Sequence, residues 1–208
     1  MTHYYDSHQD SAFEPVQIRA HLRGREILLY TSKGVFSRKK VDTGTQLLID
    51  KGVMRDGWRI LDLGCGYGPL GIGFALAYPS ADIVMTDVNE RAVKLARMNR
   101  DAHPIKNVTI HSGEGFEKVT GKFDAIFFNP PQCAGRKACL SLIGQAKEYL
   151  KDNGYLQVVM RHNKGGKYTA EEMESIFGNV DAVAKQSGYR IYVSVKGSEV
   201  PPAPSTQP

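Results

Sequence analysis

The spacing of apolar and polar positions changes character near Gly57. Before it, in residues 16–31, short β-favouring runs flank Arg23-Gly24 and predict a β-hairpin. Asp42-Thr43-Gly44-Thr45 then precedes a short helix over 46–51, with polar capping residues ahead of it. After Gly57, strand-like runs at 59–62, 82–87, 107–112, 123–129 and 155–160 alternate with helical patterns. The first helix reaches Ala77. The second covers 89–102 and offers Val93, Leu95, Ala96 and Met98 to a core. The third covers 137–150 and is stopped by Asp152-Asn153-Gly154. Thr169-Ala-Glu-Glu172 reads as a capping box opening a helix that ends at Gly178. Two last runs, 179–186 and 190–195, surround Ser187-Gly188 and predict a hairpin. Strand–helix alternation implies right-handed crossovers. The expected fold is therefore α/β and doubly wound: a seven-stranded, mostly parallel sheet with helices on both faces and one antiparallel edge strand.

Composition narrows this picture. The chain has 208 residues, 41% of them hydrophobic and 24% charged, which fits one ordinary globular domain and excludes low-complexity or fibrous classes. Residues 1–15 are polar and aperiodic, and the proline-rich end over 197–208 is equally poor in pattern; both are expected to be disordered. Residues 16–58 form an N-terminal extension expected to pack on a catalytic domain over 59–196. No apolar run approaches the ~20 residues of a membrane span, so no membrane partner is expected. The first residues do not resemble a signal peptide, which makes the cytoplasm the default location. Cys65, Cys133 and Cys139 lack metal-ligand or disulfide spacing, and the six histidines are scattered, so no metal is expected.

Charge is unevenly placed. Residues 16–58 carry nine bases (Arg19, Arg23, Arg25, Lys33, Arg38, Lys39, Lys40, Lys51 and Arg55) against four acids, which equals the chain's whole excess of +5. A basic segment on a charge-balanced remainder points to a polyanion partner.

Two motifs carry chemistry. In Leu61-Asp62-Leu63-Gly64-Cys65-Gly66-Tyr67-Gly68-Pro69, a strand turns into a helix through alternating glycines, which lets a ligand approach the backbone closely. Gly66, Gly68 and Gly71 also match a dinucleotide fingerprint, with Asp87 19 residues past Gly68. However, Asp62 would crowd a pyrophosphate, Asp87 ends the second strand, and Gly113-Glu114-Gly115 follows the third. Acids at three successive strand ends suit a cationic adenosyl sulfonium, S-adenosyl-L-methionine. Asp87 suits its ribose hydroxyls and Glu114 its adenine amino group.

The second motif is Phe127-Phe128-Asn129-Pro130-Pro131-Gln132, at the end of the fourth strand. Two prolines remove two backbone donors and leave carbonyls that only accept. The Asn129 side-chain carbonyl and the Pro130 carbonyl could hold both hydrogens of a planar –NH₂ group and turn its lone pair toward a methyl sulfonium.

Asp62-Leu-Gly-Cys-Gly-Tyr-Gly68 with Asn129-Pro-Pro-Gln132 resembles the class I S-adenosylmethionine-dependent methyltransferases, which are Rossmann-like. Gly34-Val-Phe-Ser-Arg-Lys-Lys-Val-Asp42-Thr-Gly-Thr45-Gln-Leu-Leu48 is similar to the segment before the glycine loop in the methyltransferase small domain family. That family includes ribosomal RNA guanine-N2 methyltransferases. Ala134-Gly-Arg136-Lys, Leu150-Lys-Asp-Asn-Gly154, Phe177-Gly-Asn-Val180 and Gly188-Tyr-Arg190 resemble its compact archaeal members. The resemblance implies that Asp62, Gly64, Cys65, Gly66 and Gly68 cradle the methionine end. It also implies that Asp87 and Val88 bind the ribose, Glu114 and Gly115 the adenine, and Asn129, Pro130 and Pro131 the target amine. Phe36 and Thr45 would belong to the same pocket.

One position departs from the pattern. The residue after Asn-Pro-Pro in amino-methylating enzymes is commonly aromatic, whereas here it is Gln132. Base–aromatic stacking is worth about 1–3 kcal/mol, so a flipped base needs another ring, such as Phe36. The expected activity is N-methylation of an exocyclic amine of RNA, guanine N2 first. The alternatives are a protein glutamine amide, adenine N6 of DNA, or a cofactor-binding subunit without turnover. Arg136, Lys137, Arg161, Lys164 and Lys167 sit on the same strand-end side and extend the basic rim.

Overall fold

A computed structural model describes residues 12–130 and 135–197. The expectations for residues 1–11, for Pro131, Gln132 and Cys133, and for the tail beyond Gly197 lie outside these residues. β1 (Val16–Leu22) and β2 (Arg25–Thr31) pair as the expected antiparallel hairpin around Arg23-Gly24. α1 (Thr43–Lys51) begins three residues earlier than its apolar period suggests. The Asp42 side chain accepts from the Gly44 and Thr45 amides and so caps it one turn sooner.

The main sheet holds β3 (Arg59–Leu63), β4 (Asp82–Asp87), β5 (Val108–Ser112), β6 (Phe123–Phe128), β7 (Leu150–Arg161), β8 (Asp181–Gln186) and β9 (Tyr189–Val195). Its order is β5-β4-β3-β6-β7-β9-β8. The first five of these are mutually parallel. β9 runs antiparallel to β7 and forms a hairpin with β8 at the edge. α2 (Pro69–Ala77), α3 (Glu90–Asp101), α4 (Arg136–Tyr149) and α5 (Lys167–Phe177) are the crossovers. Fully buried Ile60, Ile83, Phe74 and Phe127 fill one face of the sheet, and Leu61, Ile126, Ile143 and Leu156 the other.

Two local expectations change. The helix ends at Tyr149, ahead of Asp152-Asn153-Gly154 as expected, but the next strand begins at once rather than at 155: β7 starts at Leu150 and bulges, with Asn153 at φ 60° and the Asn153 and Gly154 backbones bonded to Lys196. Thr169 caps nothing. A π-turn over His162–Gly166 leads directly into α5 at Lys167, and the buried Thr169 hydroxyl donates to the Met160 sulfur instead.

The N-terminal extension shares one core with the sheet, through Leu22, Leu29, Leu48 and Ile49. Two buried amides hold it in register. Asn99 of α3 accepts from the Tyr30 amide (2.6 Å) and donates to the Tyr30 and Tyr67 carbonyls (2.9 and 2.7 Å), so a single side chain ties the hairpin to the glycine turn. Gln157 of β7 makes a pair of 2.7 Å bonds to the Val53 backbone, as a neighbouring strand would.

Asn99→Ala leaves three backbone groups without their partner, at about 1–3 kcal/mol for each buried group. We expect a net loss of about 3 kcal/mol, seen as a fall of roughly 6–12 °C in Tm by calorimetry. A change under about 2 °C contradicts this role.

Candidate cofactor and acceptor site

The chain runs from β3 outward to β4 and β5, then returns to β6 on the other side of β3. Strand ends diverge at such a reversal, and ligands of open α/β sheets bind there. A cavity of about 380 Å³ opens at this point. Its size falls in the range of small-molecule sites.

The glycine turn after β3 is built from left-handed residues, with Gly64, Gly66 and Gly68 at φ 69°, 58° and 88°. These glycines serve two purposes. A Cβ on Gly68 would come within 2.7 Å of Met85 Cε, and one on Gly71 within 2.5 Å of Met85 Sδ, so these two let α2 sit close to β4. Gly68 accordingly does not line the cavity. Gly64 and Gly66 do, and the nearest protein atom to a Cβ on Gly64 would be Phe128 Cε2 at 4.0 Å, with none within 4 Å for Gly66. The space a side chain would take there belongs to the cavity.

Two carboxylates, the buried Asp62 and the half-buried Asp87, face this turn. Asp62, only 5% exposed, accepts from the Gly71 amide (3.1 Å). Burial raises its carboxyl to about 7; the Gly71 amide opposes this and the neighbouring Asp87 adds to it. Asp87 ends β4 and accepts from the Gly66 and Asn89 amides, both at 2.8 Å, yet burial still raises its carboxyl too. Burial and the same two carboxylates push the Cys65 thiol well up, which leaves it a neutral filler. A carboxylate pair this poorly compensated favours a cation and opposes a pyrophosphate, and the dinucleotide reading of the glycines fails on that ground.

Val88, Gly113, Glu114 and Gly115 continue the lining past β4 and β5. A Cβ on Gly115 would lie 2.6 Å from Leu142 Cδ2, so this glycine lets α4 close the side of the cavity. Phe36, Ser37, Asp42 and Thr45 line it from the extension. Phe36 is half exposed at the rim.

Asn129 and the buried Pro130 follow β6 into the cavity. The Asn129 amide nitrogen donates to Thr45 Oγ1 (2.8 Å) and to Asp42 Oδ2 (3.2 Å). An ionised carboxylate only accepts, so the NH₂ side must face Asp42 and the carbonyl oxygen is turned to the other side. Tyr67, Leu142 and Tyr189 also line the cavity; Tyr67 and Tyr189 lie inside quoted motifs but had no assigned role, and no motif marks Leu142. Asp42 was legible as a cap but not as a partner of Asn129.

The structure separates the bases of residues 16–58. Arg23 donates to the Ile49 and Gly52 carbonyls (2.7 and 2.9 Å) and lies over the Phe74 and Tyr78 rings, so it is an internal strut. Arg55 covers Trp58. Lys39 and Lys40 are exposed in the loop that carries Phe36, while Arg161 and Lys164 line the cavity from its other end. Arg161 lies over Tyr189, and Arg136 over the exposed Tyr168. Among the described residues there is no cluster of three or more metal-ligating side chains, and no helix is long and apolar enough to cross a membrane.

Comparisons agree with this geometry. The family model "Methyltransferase small domain" matches residues 26–193. The uncharacterised protein YbxB of Bacillus subtilis is 36% identical over 199 residues, which cover 93% of this chain and 98% of that one. Ribosomal RNA small subunit methyltransferase C of Pseudoalteromonas atlantica is 36% identical over 163 residues (76% of this chain, 46% of the relative). The Haemophilus influenzae protein of the same name is 33% identical over 174 residues (82% and 51%). The chain thus spans about half the length of these two methyltransferases. Among solved structures, T. thermophilus 16S rRNA N2 methyltransferase RsmC, in complex with AdoMet and guanosine, superposes with a TM-score of 0.75 at 24% identity, over 88% of this chain and 50% of that one. The curated relatives named are bacterial rather than archaeal. With its glycine turn, strand-end acids and Asn129-Pro130 on one cavity, the chain belongs to the methyltransferase small domain family.

Proposed function

We propose that the chain is an S-adenosyl-L-methionine-dependent N-methyltransferase acting on an exocyclic amine of RNA, with guanine N2 of ribosomal or transfer RNA as the target. The observation that carries this reading is the forced orientation of Asn129. Its amide nitrogen is committed to Asp42 and Thr45, which leaves its carbonyl oxygen and that of Pro130 as the acceptors beside the glycine turn. A planar –NH₂ held through both hydrogens must present its lone pair perpendicular to that plane.

When bound, the cofactor supplies a sulfonium methyl: the acceptor nitrogen forms the new N–C bond, the S–C bonding pair returns to sulfur, and the surplus proton leaves the nitrogen to water. The protein's part is orientation and field. In this reading Asp62 would hold the cationic amino group of the methionine end, Asp87 the ribose hydroxyls and Glu114 the adenine amine, all three lining the cavity. Gly64, Cys65, Gly66, Val88 and Gly115 shape the walls, with Phe36 and Thr45 above them. Asn129 and Pro130 stabilise the positive charge that grows on the acceptor nitrogen, so no strong base is needed. Pro131 is assigned to the same loop from its motif alone.

A nucleic-acid acceptor is favoured over a protein by the rim, and RNA over DNA by the relatives named as ribosomal RNA methyltransferases. Lys39 and Lys40 on one side and Arg161, Lys164, Lys137 and Lys167 on the other are exposed cations around the mouth, with Phe36 offering a ring that Gln132 cannot. Such a substrate implies a cytoplasmic enzyme.

Asn129→Ala should lower kcat by at least about 100-fold while cofactor affinity stays within a few-fold; retained activity rejects the assigned role. Transfer of labelled methyl groups into separated ribosomal RNA, transfer RNA, DNA and protein fractions should mark RNA, and label confined to protein or DNA overturns the choice of acceptor. Cofactor affinity should also depend on pH. Asp62 must be ionised to hold a cation, and its carboxyl is raised to about 7. Binding should therefore tighten between pH 6 and 7.5, by at most tenfold per unit, with proton release seen by calorimetry in two buffers. Asp62→Asn should bind more weakly at pH 7.5 and lose this slope.

A further inference from the structure

We propose that Asp42 is a positioning residue for the transfer step, acting through Asn129 as both a geometric and an electrostatic lever. The inference rests on the methyltransferase reading of the site. A single carboxylate oxygen, Asp42 Oδ2, accepts from three donors: the Gly44 amide (2.8 Å), the Thr45 amide (3.3 Å) and Asn129 Nδ2 (3.2 Å). The first two bonds cap α1, and the third reaches across 87 residues of sequence to the acceptor loop. Thr45, one turn into the same helix, supplies the second acceptor at 2.8 Å. Two acceptors on a rigid helix start therefore grip one NH₂ group, and rotating the amide would set its carbonyl oxygen against a carboxylate.

The support is itself well packed. A Cβ on Gly44 would lie 2.9 Å from Tyr189 Cε1 and 3.0 Å from Asp42 Oδ2, so the capping turn is wedged between Asp42 and β9. The helix cap alone would be served equally by serine, threonine or asparagine. What only a carboxylate adds is a full negative charge on the nitrogen side of the Asn129 amide. A charge-assisted bond there polarises the amide and makes its carbonyl oxygen the stronger acceptor, at the point where positive charge develops on the substrate nitrogen. That benefit grows from ground state to transition state, so it belongs in kcat rather than in KM.

Asp42→Asn separates charge from shape. The new Oδ1 can accept from the same three donors, so the cap and the grip on Asn129 remain. We expect kcat to fall roughly 10-fold, with KM for the acceptor and cofactor Kd within twofold and Tm within about 2 °C. Thr45→Val, which removes only the hydroxyl, should lower kcat by a similar factor, and Thr45→Ser should restore it.

A readout independent of turnover is the Asn129 side-chain ¹⁵NH₂ pair in the cofactor-free protein, assigned through its disappearance in Asn129→Ala. Its proton shifts should move in both Asp42→Asn and Thr45→Val. An unmoved pair overturns the contact, and a kcat within twofold of wild type in Asp42→Asn overturns the electrostatic part. A KM or Kd that rises as much as kcat falls makes Asp42 a binding residue instead. Kinetics use whichever fraction wild type labels, so a non-RNA acceptor would overturn the substrate choice without touching this inference. If wild type labels no fraction, the enzymatic reading fails and the inference with it.

Discussion

The site depends on how the Asp87 carboxylate is spent. It closes β4, holds the Gly66 amide of the neighbouring strand's turn and receives the Asn89 amide at the start of α3. These two bonds join the glycine turn to the adjacent strand–helix junction. They do not cancel the charge, because burial still raises the carboxyl, and Asp62 lies close enough to repel it. The fold thus sets two acids, one buried and one half-buried, at the crevice where the sheet topology admits a ligand.

The extension is built against the same place. Asn99 fixes Tyr30 of the hairpin and Tyr67 of the glycine turn in one set of hydrogen bonds, and the Asn89 side chain donates to the Gly34 carbonyl. The chain between β2 and α1 is therefore anchored at both ends, at Gly34 and at the Asp42 cap, and drapes Phe36 and Ser37 over the cavity. The extension, expected to pack on the catalytic domain with Phe36 and Thr45 in its pocket, also supplies the support of Asn129 through Asp42 and Thr45.

Most of the architecture was legible because the parallel strands are short apolar runs with strong punctuation. Asp82–Asp87 and the glycine cap at Gly178 match their expected positions, and the acid at each strand end falls on the cavity. The misses share a cause. Thr169 satisfies a capping pattern, but a π-turn from the preceding strand decides where α5 begins; α4 does stop before Asp152-Asn153-Gly154, but Lys196 supplies strand partners to that segment, so β7 begins at Leu150 rather than at 155. Local signals lose where a distant backbone offers the hydrogen bonds. Likewise Tyr189 and Leu142 reach the cavity only through the folding of β9 and α4, and no local period could announce them.

Arg23 bears on how the chain meets a polyanion. Its guanidinium already sits on two carbonyls and between two rings, so it holds no condensed anion that a nucleic acid could displace, and it cannot swing out without opening the junction of hairpin and α2. The salt sensitivity of binding to any polyanion is therefore set by exposed cations such as Lys39 and Lys40, and not by the formal charge of the chain.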